Sequence, residues 1–313
     1  MKIPRKFLIS SLCWRGLKTS FVKLSEAYQQ APDSLNAIDF AEVMRQVFAV
    51  PTAMSKRWYD EAAKEWVWIS NNHIKISTIF DSDFPMAFSH LDNAPTLITY
   101  WGELNTADAP CVSVVGTRHP SRYSIEWMES ELDAFFKVKK DLVVVSGGAH
   151  GVDQKAHFLA LRNGRATVCL LPSGLAQIYP RDLINVKSEM LSTGGAIVSS
   201  LSPFAEMQKR FFLERNRYIA NWSPLTFVVE AKRRSGTMIT ARWVKMLDRE
   251  LAVLPCSPLV PGLGGLDLII DGGALVIRDR YDLNQAFERS LVSCITRGLH
   301  GAGDEYQSPK IEC

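Results

Sequence analysis

Apolar runs alternate with helix-like stretches from residue 111 onward. Most of these runs lack the alternation of apolar and polar residues that marks a strand with one solvent-exposed face. Continuous apolar runs are typical of strands buried on both faces of a parallel sheet, and the stretches between them are typical of covering helices. We therefore predict an α/β fold, a Rossmann-like parallel sheet flanked by helices. The predicted strands are residues 111–115, 142–145, 166–171, 196–199, 225–230 and 251–254.

The first 75 residues have a different periodicity. Residues 41–50 and 56–68 place apolar side chains at the three- and four-residue spacing of amphipathic helices. Proline-containing segments at 32–34 and 51–52 separate these stretches. The pattern predicts a small helical (SAM-like) domain over 1–75, the α/β domain over 76–281, and a C-terminal helix with a fraying tail over 282–313.

Composition limits the classes of function. The net charge of +3 argues against a generally basic surface, so a nucleic-acid site has to come from local clustering of cations. The six cysteines form no CxxC pair and no zinc-like spacing, and Cys111 and Cys169 lie in apolar runs. No apolar run reaches the roughly 20 residues of a membrane span. We expect a cytoplasmic protein with reduced thiols, no metal and no cofactor.

The candidate ligand-binding residues follow the predicted strands. Gly116 and Arg118 follow the first strand and precede a helix whose free N–H groups suit an anion. The next strand leads into a glycine-rich loop at 146–151, which lacks both the Walker A lysine and the GxGxxG spacing. Asp153 after this loop fits a helix cap equally well, and His157 is expected to be packed inside.

Two more strand ends are basic or aromatic. Tyr179 follows the third strand and fits either base stacking or the filling of a groove. Arg215, Asn216 and Arg217 stand between aromatic residues, a combination found in proteins that track a nucleic-acid backbone. A basic loop at 232–234 precedes Ser-Gly-Thr at a further helix start. A solvated helix face is the alternative for the arginines, although their apolar flanks make it less favourable.

In this order the motifs VVGTR, SGGAHGVDQKAH, LPSGLAQIYP, ERNRYIA and VVEAKRRSGTMITA resemble the Rossmann domain of the DNA-processing protein A (DprA/Smf) family. Residues 80–85 resemble that family's opening segment and residues 271–274 its closing motif. The resemblance implies a protein that binds and protects single-stranded DNA, dimerises and loads a RecA-type recombinase in DNA uptake and recombination, including natural transformation. It implies no membrane attachment and no enzymatic activity.

Matching motif positions give the candidate DNA- and phosphate-binding residues. His150 departs from the family, which usually has an arginine there, so one phosphate donor is expected to be weaker or pH-dependent. The candidates are Gly116, Arg118, Ser146, Gly147, Gly148, His150, Gly151, Arg215, Asn216, Arg217, Lys232, Arg233, Ser235, Gly236 and Thr237.

Two other classes of function are considered. Rossmann-like phosphoribohydrolases and nucleotide-derivative sensors also use glycine-rich loops, and residues 235–237 faintly resemble their PGGxGT motif. The glutamate expected just beyond that motif is absent, because residues 238–240 read Met-Ile-Thr. A nicotinamide-dependent oxidoreductase is less favoured, since the glycine spacing is wrong and no catalytic Tyr/Lys pair is evident.

Overall fold

A nine-stranded mixed sheet forms the centre of the computed structural model, which describes residues 1–82, 84–89, 91, 94–104, 109–256 and 263–301. A separate two-stranded pairing lies near the start of the chain. The strands are β1 (Ile3–Pro4), β2 (Ser34–Leu35), β3 (Lys75–Thr78), β4 (Leu97–Gly102), β5 (Cys111–Val115), β6 (Val143–Ser146), β7 (Thr167–Leu170), β8 (Ala196–Ser199), β9 (Leu225–Val228), β10 (Glu250–Val253) and β11 (Leu275–Val276).

The predicted α/β fold is confirmed. The six predicted strands correspond to β5 through β10, with ends that agree to within two residues, and neighbours among them pair in parallel. Their side chains are almost fully buried, as unbroken apolar runs require. The sheet is not wholly parallel, because β4 pairs antiparallel with β8, and β3 pairs antiparallel with β4.

Helices cover both faces of this sheet and build the N-terminal region. They include residues 41–48 of the predicted stretch 41–50, which ends at a left-handed Ala49, and all of 56–68, and prolines 32 and 51 lie at the predicted breaks. The helices are α1 (Arg5–Ser10), α2 (Phe21–Gln30), α3 (Ala37–Phe48), α4 (Thr52–Asn71), α5 (Met86–Ser89), α6 (Arg122–Trp127), α7 (Asp133–Val138), α8 (Val152–Arg162), α9 (Lys187–Ser192), α10 (Lys209–Trp222), α11 (Gly236–Met246), α12 (Gly264–Ile270) and α13 (Arg280–Gly301).

The strand order reverses next to β5. The order across the sheet is β11-β10-β9-β5-β6-β7-β8-β4-β3. The chain runs from β5 outward to β8, and α10 then returns it to β9 on the other side of β5. The connection after β5 leads to β6 on one side, and the connection after β9 leads to β10 on the other side. A crevice therefore opens beyond the carboxyl ends of β5 and β9. Ligands of open α/β sheets bind at this type of position.

The N-terminal helices share apolar packing with the sheet. Buried residues of α1 through α4 form one continuous core with Leu97 and Trp101 of β4 and with Ile197 of β8. Trp14 Nε1 donates a hydrogen bond of 2.9 Å to the carbonyl of Ser200. The boundary at residue 75 stays a prediction. Asp83 of the opening segment and the tail beyond residue 301, with Cys313, lie outside the described residues.

The thiols follow the expectation from the sequence. Cys111 and Cys169 are buried in β5 and β7, and burial raises the pKa of each thiol to about 12. Within the described part of the chain no cysteine forms a disulfide. These two buried thiols are therefore protonated and unreactive at neutral pH.

Candidate nucleic-acid interface at the switch point

A cavity of about 530 Å³ lies beyond the carboxyl ends of β5 and β9, and we call it the switch-point cavity. This volume lies within the range of ligand sites. Four segments that are distant in sequence line it: the exit of β5, the start of α8, one face of α10 and the start of α11. The lining residues used below are Gly116, Arg118, Asp153, Met207, Lys209, Phe212, Leu213, Arg215, Asn216, Ile219, Lys232, Ser235, Gly236 and Thr237.

Arg215 lies at the inner end of this cavity and is only 5% exposed. Its Nη1 donates to the carbonyl of Leu170 at 3.2 Å, which fixes the guanidinium against β7. A Cβ on residue 147 would lie 1.4 Å from that Nη1, so a larger residue there would displace the guanidinium from its present position. The glycine at 147 therefore makes room for a guanidinium, whereas the sequence suggested that it makes room for a phosphate.

Asp153 is the acidic side chain of the switch-point cavity. It is 6% exposed and accepts a hydrogen bond of 3.4 Å from the backbone N–H of Ala149. Burial raises the pKa of its carboxyl, while the charge of Arg215 and nearby backbone N–H groups oppose that rise. Asp153 thus holds the glycine-rich loop and partly balances Arg215. In the sequence analysis a helix-cap role for Asp153 stood as an equal alternative to a role in the site.

The helix that follows β5 does not offer its N-terminus to a ligand. The carboxylate of Glu230 accepts from the Ser121 N–H at 2.8 Å and from the Ser124 hydroxyl at 2.7 Å. The Ser121 hydroxyl in turn accepts from the N–H of Ser124 at 3.3 Å. Glu230 therefore occupies the helix end that the sequence analysis assigned to an anion.

The N-terminus of α11 faces the cavity instead. Ser235 caps it by accepting from the N–H of Met238 at 3.4 Å, and the first turn of the helix belongs to the cavity lining. A Cβ added at Gly236 would meet only Asn216 Nδ2, at 3.6 Å, so the approach to this turn is open. N–H groups of a first helical turn have no partner within their helix and attract anions.

One face of α10 combines cations with an aromatic ring. Lys209, Phe212, Arg215, Asn216 and Ile219 recur every three or four residues and share the cavity side of the helix. Sequence reasoning missed Lys209 and treated Phe212 only as an aromatic neighbour of the arginines, although the spacing of both residues from Arg215 was a usable signal.

Phe212 is the aromatic surface of the site. The guanidinium carbon of Arg118 lies 5.4 Å from its ring centre and that of Arg215 lies 5.5 Å away. Tyr179 packs edge-on against the same ring at 5.9 Å. Tyr179 therefore supports Phe212, and Arg118 remains exposed at the cavity rim. Arginine beside an aromatic ring gives a platform for a base and a donor for a phosphate.

Seven of the fifteen predicted site residues are not part of the cavity lining, and three of these seven have their side chains engaged elsewhere. Arg217 is 9% exposed and its guanidinium lies 5.5 Å from the Tyr218 ring, on a different side of α10 from Arg215. Arg233 forms a two-pronged ion pair with Asp267, at 2.8 and 3.0 Å. Ser146 is fully buried and donates to the carbonyl of Val114 at 2.6 Å.

The remaining loop residues shape the site from beneath. Gly148 and Gly151 have φ of +71° and +83°, a region that favours glycine. A Cβ at Gly151 would lie 2.5 Å from the carbonyl oxygen of Thr117, so backbone crowding also requires glycine. His150 is exposed beside the cavity, with Nδ1 at 3.5 Å from Asp182. Its role toward phosphate stays a prediction.

His157 packs under the glycine-rich loop and takes no part in the cavity. It is 2% exposed, and its Nδ1 lies 2.6 Å from Thr167 Oγ1. Thr167 Oγ1 already donates to the carbonyl of Val144, so the imidazole donates through Nδ1–H. Burial, with a smaller contribution from the charge of Arg215, lowers the pKa of His157 to about 4.

This buried histidine makes the fold sensitive to acid. In the unfolded chain histidine takes up a proton near pH 6.5, whereas His157 in the folded state resists protonation down to about pH 4. Folding is therefore weakened as pH falls below 6.5. From pH 6.5 to pH 5 we expect this group to lower the free energy of unfolding by about 2 kcal/mol. Urea titrations of the wild-type chain at the two pH values measure the loss.

The matched variant is His157→Gln, which keeps a hydrogen-bond donor for Thr167 but cannot titrate. Carboxylates contribute equally to the acid response of both proteins, so the difference between the two chains isolates His157. Equal acid losses in the wild-type and variant chains would contradict the prediction.

Comparison with known proteins agrees with this geometry. The model of the family described as DNA recombination-mediator protein A matches residues 75–288, which include every residue of the switch-point cavity. The chain belongs to this family. The resemblance inferred from the sequence motifs is thereby confirmed.

Individual members of the recombination-mediator family show the same relationship. The chain is 31% identical over 211 residues to DNA processing protein DprA of Streptococcus pneumoniae, covering 67% of this chain and 73% of that protein. It is 33% identical over 210 residues to Protein Smf of Synechocystis, covering 65% of this chain but 51% of that protein. Parts of some family members thus have no counterpart in the aligned region.

Solved structures of family members share the fold. DNA processing protein A from S. pneumoniae matches with a TM-score of 0.70 at 27% identity, covering 91% of this chain and 98% of that one. The Helicobacter pylori protein, whose structure is described as showing a single-stranded DNA binding mode, matches with a TM-score of 0.60 at 30% identity. That match covers 71% of this chain and 98% of the H. pylori chain.

Neither a membrane-spanning helix nor a metal-binding cluster is present among the described residues. Among these residues, no helix has the length and apolar character needed to cross a bilayer. Likewise, no group of three or more His, Cys, Asp or Glu side chains within the described ranges is placed to hold a metal ion.

Proposed function

We propose that this chain binds single-stranded DNA at the switch-point cavity and mediates recombination by passing the strand to a RecA-type recombinase. The observation that carries the proposal is the cavity itself. It brings together the exposed cations Arg118, Lys209 and Lys232, the buried Arg215 and the Phe212 ring. Membership of the recombination-mediator family and the H. pylori relative, which is described by its single-stranded DNA binding mode, support the same activity.

The chemistry favours a single strand over a duplex. Phe212 offers a ring face inside a concave site, and only an unpaired base can leave its neighbours to stack there. A cavity of about 530 Å³ has room for a nucleotide but not for a helix of paired bases. The surrounding cations contact phosphates, which hold the strand without reading its sequence.

The site is suited to binding and not to bond cleavage. Asp153 is engaged by the N–H of Ala149 and lies near Arg215, so it balances charge inside the cavity. The proposal therefore describes a binding protein that needs no cofactor or metal. It also includes action in the cytoplasm as a homodimer, in keeping with the recombination-mediator role of the family.

The test replaces two exposed cavity lysines by glutamine, in a Lys209→Gln/Lys232→Gln variant. Loss of two phosphate contacts lowers the slope of log affinity against log salt by roughly 1.4 units for a single strand. Fluorescence anisotropy with labelled oligothymidylate across a salt series measures the slope. The wild-type chain is expected to prefer this oligonucleotide to a matching duplex.

The matched control is Lys137→Gln/Lys140→Gln. These exposed lysines precede β6, so they lie near the amino ends of the strands, whereas the cavity lies beyond the carboxyl ends. The control carries the same change in net charge and should retain the wild-type slope. Equal slopes in all three proteins would remove the cavity from the DNA site, and failure of the wild-type chain to bind single strands would refute the proposed function.

A further inference from the structure

The inner end of the switch-point cavity offers more positive charge and more hydrogen-bond donors than one phosphodiester group within a strand requires. Arg215 is 5% exposed there and lines the cavity. Its guanidinium donates one hydrogen bond to the described residues, from Nη1 to the carbonyl of Leu170, so a ligand oxygen in the cavity supplies a further acceptor for its N–H groups. Arg215 therefore marks a place where an acceptor from outside the chain fits.

The α11 N-terminus opens into the same space. Gly236 and Thr237 belong to the cavity lining, and Ser235 has already turned its hydroxyl to cap Met238. The exposed Lys232 lies on the loop just before this helix and also lines the cavity. Two kinds of anion attraction, a helix end and side-chain cations, thus meet in one cavity.

The charge of the anion decides which nucleotide group fits best. A phosphomonoester carries about −1.5 to −2 at pH 7 and three free oxygens, whereas a phosphodiester inside a strand carries one charge. A terminal phosphate is also attached to the strand on one side only, whereas a phosphodiester is attached on both sides. At the inner end Arg215 and Asp153 are only 5% and 6% exposed, so this end suits a group that terminates there.

The remaining lining suits the rest of a nucleotide. Met207, Leu213 and Ile219 provide an apolar wall beside Phe212. Met207 and Leu213 are 38% and 40% exposed, which leaves apolar surface available to a sugar or a base. The cavity thus presents a cationic end and an apolar side, in keeping with the two halves of a nucleotide.

We propose that the switch-point cavity binds the phosphomonoester of a nucleotide, either as the terminal phosphate of a strand or on a free nucleoside monophosphate. This inference rests on the proposed function, because it specifies what occupies the inner end of the same cavity. In its strand form the protein recognises phosphorylated ends in addition to the phosphodiester backbone of the strand.

The experiment is a competition against a labelled oligothymidylate. The competitors are hexathymidylate with a 5′-phosphate, with a 3′-phosphate and with two hydroxyl ends, together with thymidine monophosphate and thymidine. At least one phosphorylated hexamer is expected to compete about tenfold better than the hydroxyl form, the effect of one good charge-assisted contact. In Lys232→Gln this ratio should fall severalfold.

The control variant is Arg233→Gln. Arg233 is adjacent in sequence, but it pairs with Asp267 and lies outside the cavity lining. Because each protein is read as a ratio between two oligonucleotides, a general loss of affinity cancels. Arg233→Gln should keep the wild-type ratio, and an equal fall in both variants would overturn the placement of the phosphate in the cavity.

The outcomes separate this inference from the proposed function. Hexamers that bind equally with and without phosphate, with no advantage of thymidine monophosphate over thymidine, would overturn the inference and leave strand binding intact. The wild-type chain is also compared on oligothymidylate and a matching duplex. If it does not prefer the single strand, but thymidine monophosphate displaces the labelled oligothymidylate, the result would support the free-nucleotide form and refute the proposed function. An advantage confined to phosphorylated hexamers identifies the strand end as the ligand.

Discussion

Replacing Arg215 with methionine is expected to lower single-strand affinity at least tenfold and the free energy of unfolding by about 2–4 kcal/mol. The affinity falls because the inner end of the cavity loses its buried cation. The stability falls because the carbonyl of Leu170 loses a donor and Asp153 loses the charge that balances it. Methionine fills much of the same volume, so the loss is not one of packing. Anisotropy and urea denaturation measure the two effects.

The same variant has a predicted pH dependence. Burial raises the pKa of Asp153, and removal of Arg215 raises it further. A carboxyl whose folded pKa exceeds its unfolded value binds a proton more tightly in the folded state. Its contribution to stability is therefore present at low pH and is lost as pH rises through the folded pKa. Measured against the wild-type chain, which shares the acid loss from His157, Arg215→Met should regain part of its stability as the pH is lowered.

Two further proteins test the assignment. Arg215→Met/Asp153→Asn cannot titrate at position 153 and should lose that pH-dependent recovery. Arg217→Met removes the other buried arginine of α10, which lies beside Tyr218 and Trp243 and away from the cavity lining. It should be destabilised without a comparable loss of affinity. Equal losses of affinity in Arg215→Met and Arg217→Met would contradict the placement of these side chains.

The second large effect concerns the junction between the N-terminal helices and the sheet. Arg15 and Glu65 form an ion pair of 2.5 Å, with side chains only 3% and 10% exposed. The hydroxyl of Ser202, just after β8, donates to the other oxygen of Glu65 at 2.6 Å. Glu65→Gln leaves Arg15 as a buried charge without its partner, and we expect a loss of about 3–5 kcal/mol in the free energy of unfolding.

The control for this pair lies on the same helix. Arg57 and Glu61 form an exposed ion pair in α4, with side chains 79% and 43% exposed. Glu61→Gln should change stability by less than about 1 kcal/mol because solvent screens the pair. The double replacement Arg15→Met/Glu65→Met should recover much of the loss, since no unpaired charge remains. Similar losses for Glu65→Gln and Glu61→Gln would refute the role of the buried pair.

The central strands could be predicted from the sequence because their signal is local. An unbroken apolar run followed by a helical stretch describes β5 through β10 without any knowledge of distant residues. Lys75–Thr78 and Leu97–Gly102 were not predicted as strands. β4 pairs with β8, which is about a hundred residues away in the chain, and no local pattern encodes that partner. β3 joins the sheet only through β4.

The candidate site was predicted in its location but not in its membership. Arg118, Asn216, Lys232 and the start of α11 line the cavity, and their contact with DNA stays a prediction. Arg215 and Arg217 have the same chemistry in the sequence and separate only because two positions along a helix differ by about 200°. Lys209 and Phe212 join the site because α10 turns that face toward the crevice.

The sequence by itself determined the fold class, the order of the strands along the chain and the motifs that place the protein in the recombination-mediator family. These properties follow from periodicity and local backbone chemistry. Only the tertiary structure decided which charges face the cavity. It placed Glu230 at the α6 N-terminus, Asp267 against Arg233 and Gly147 beneath Arg215, because long-range packing alone determines which buried polar group receives which partner.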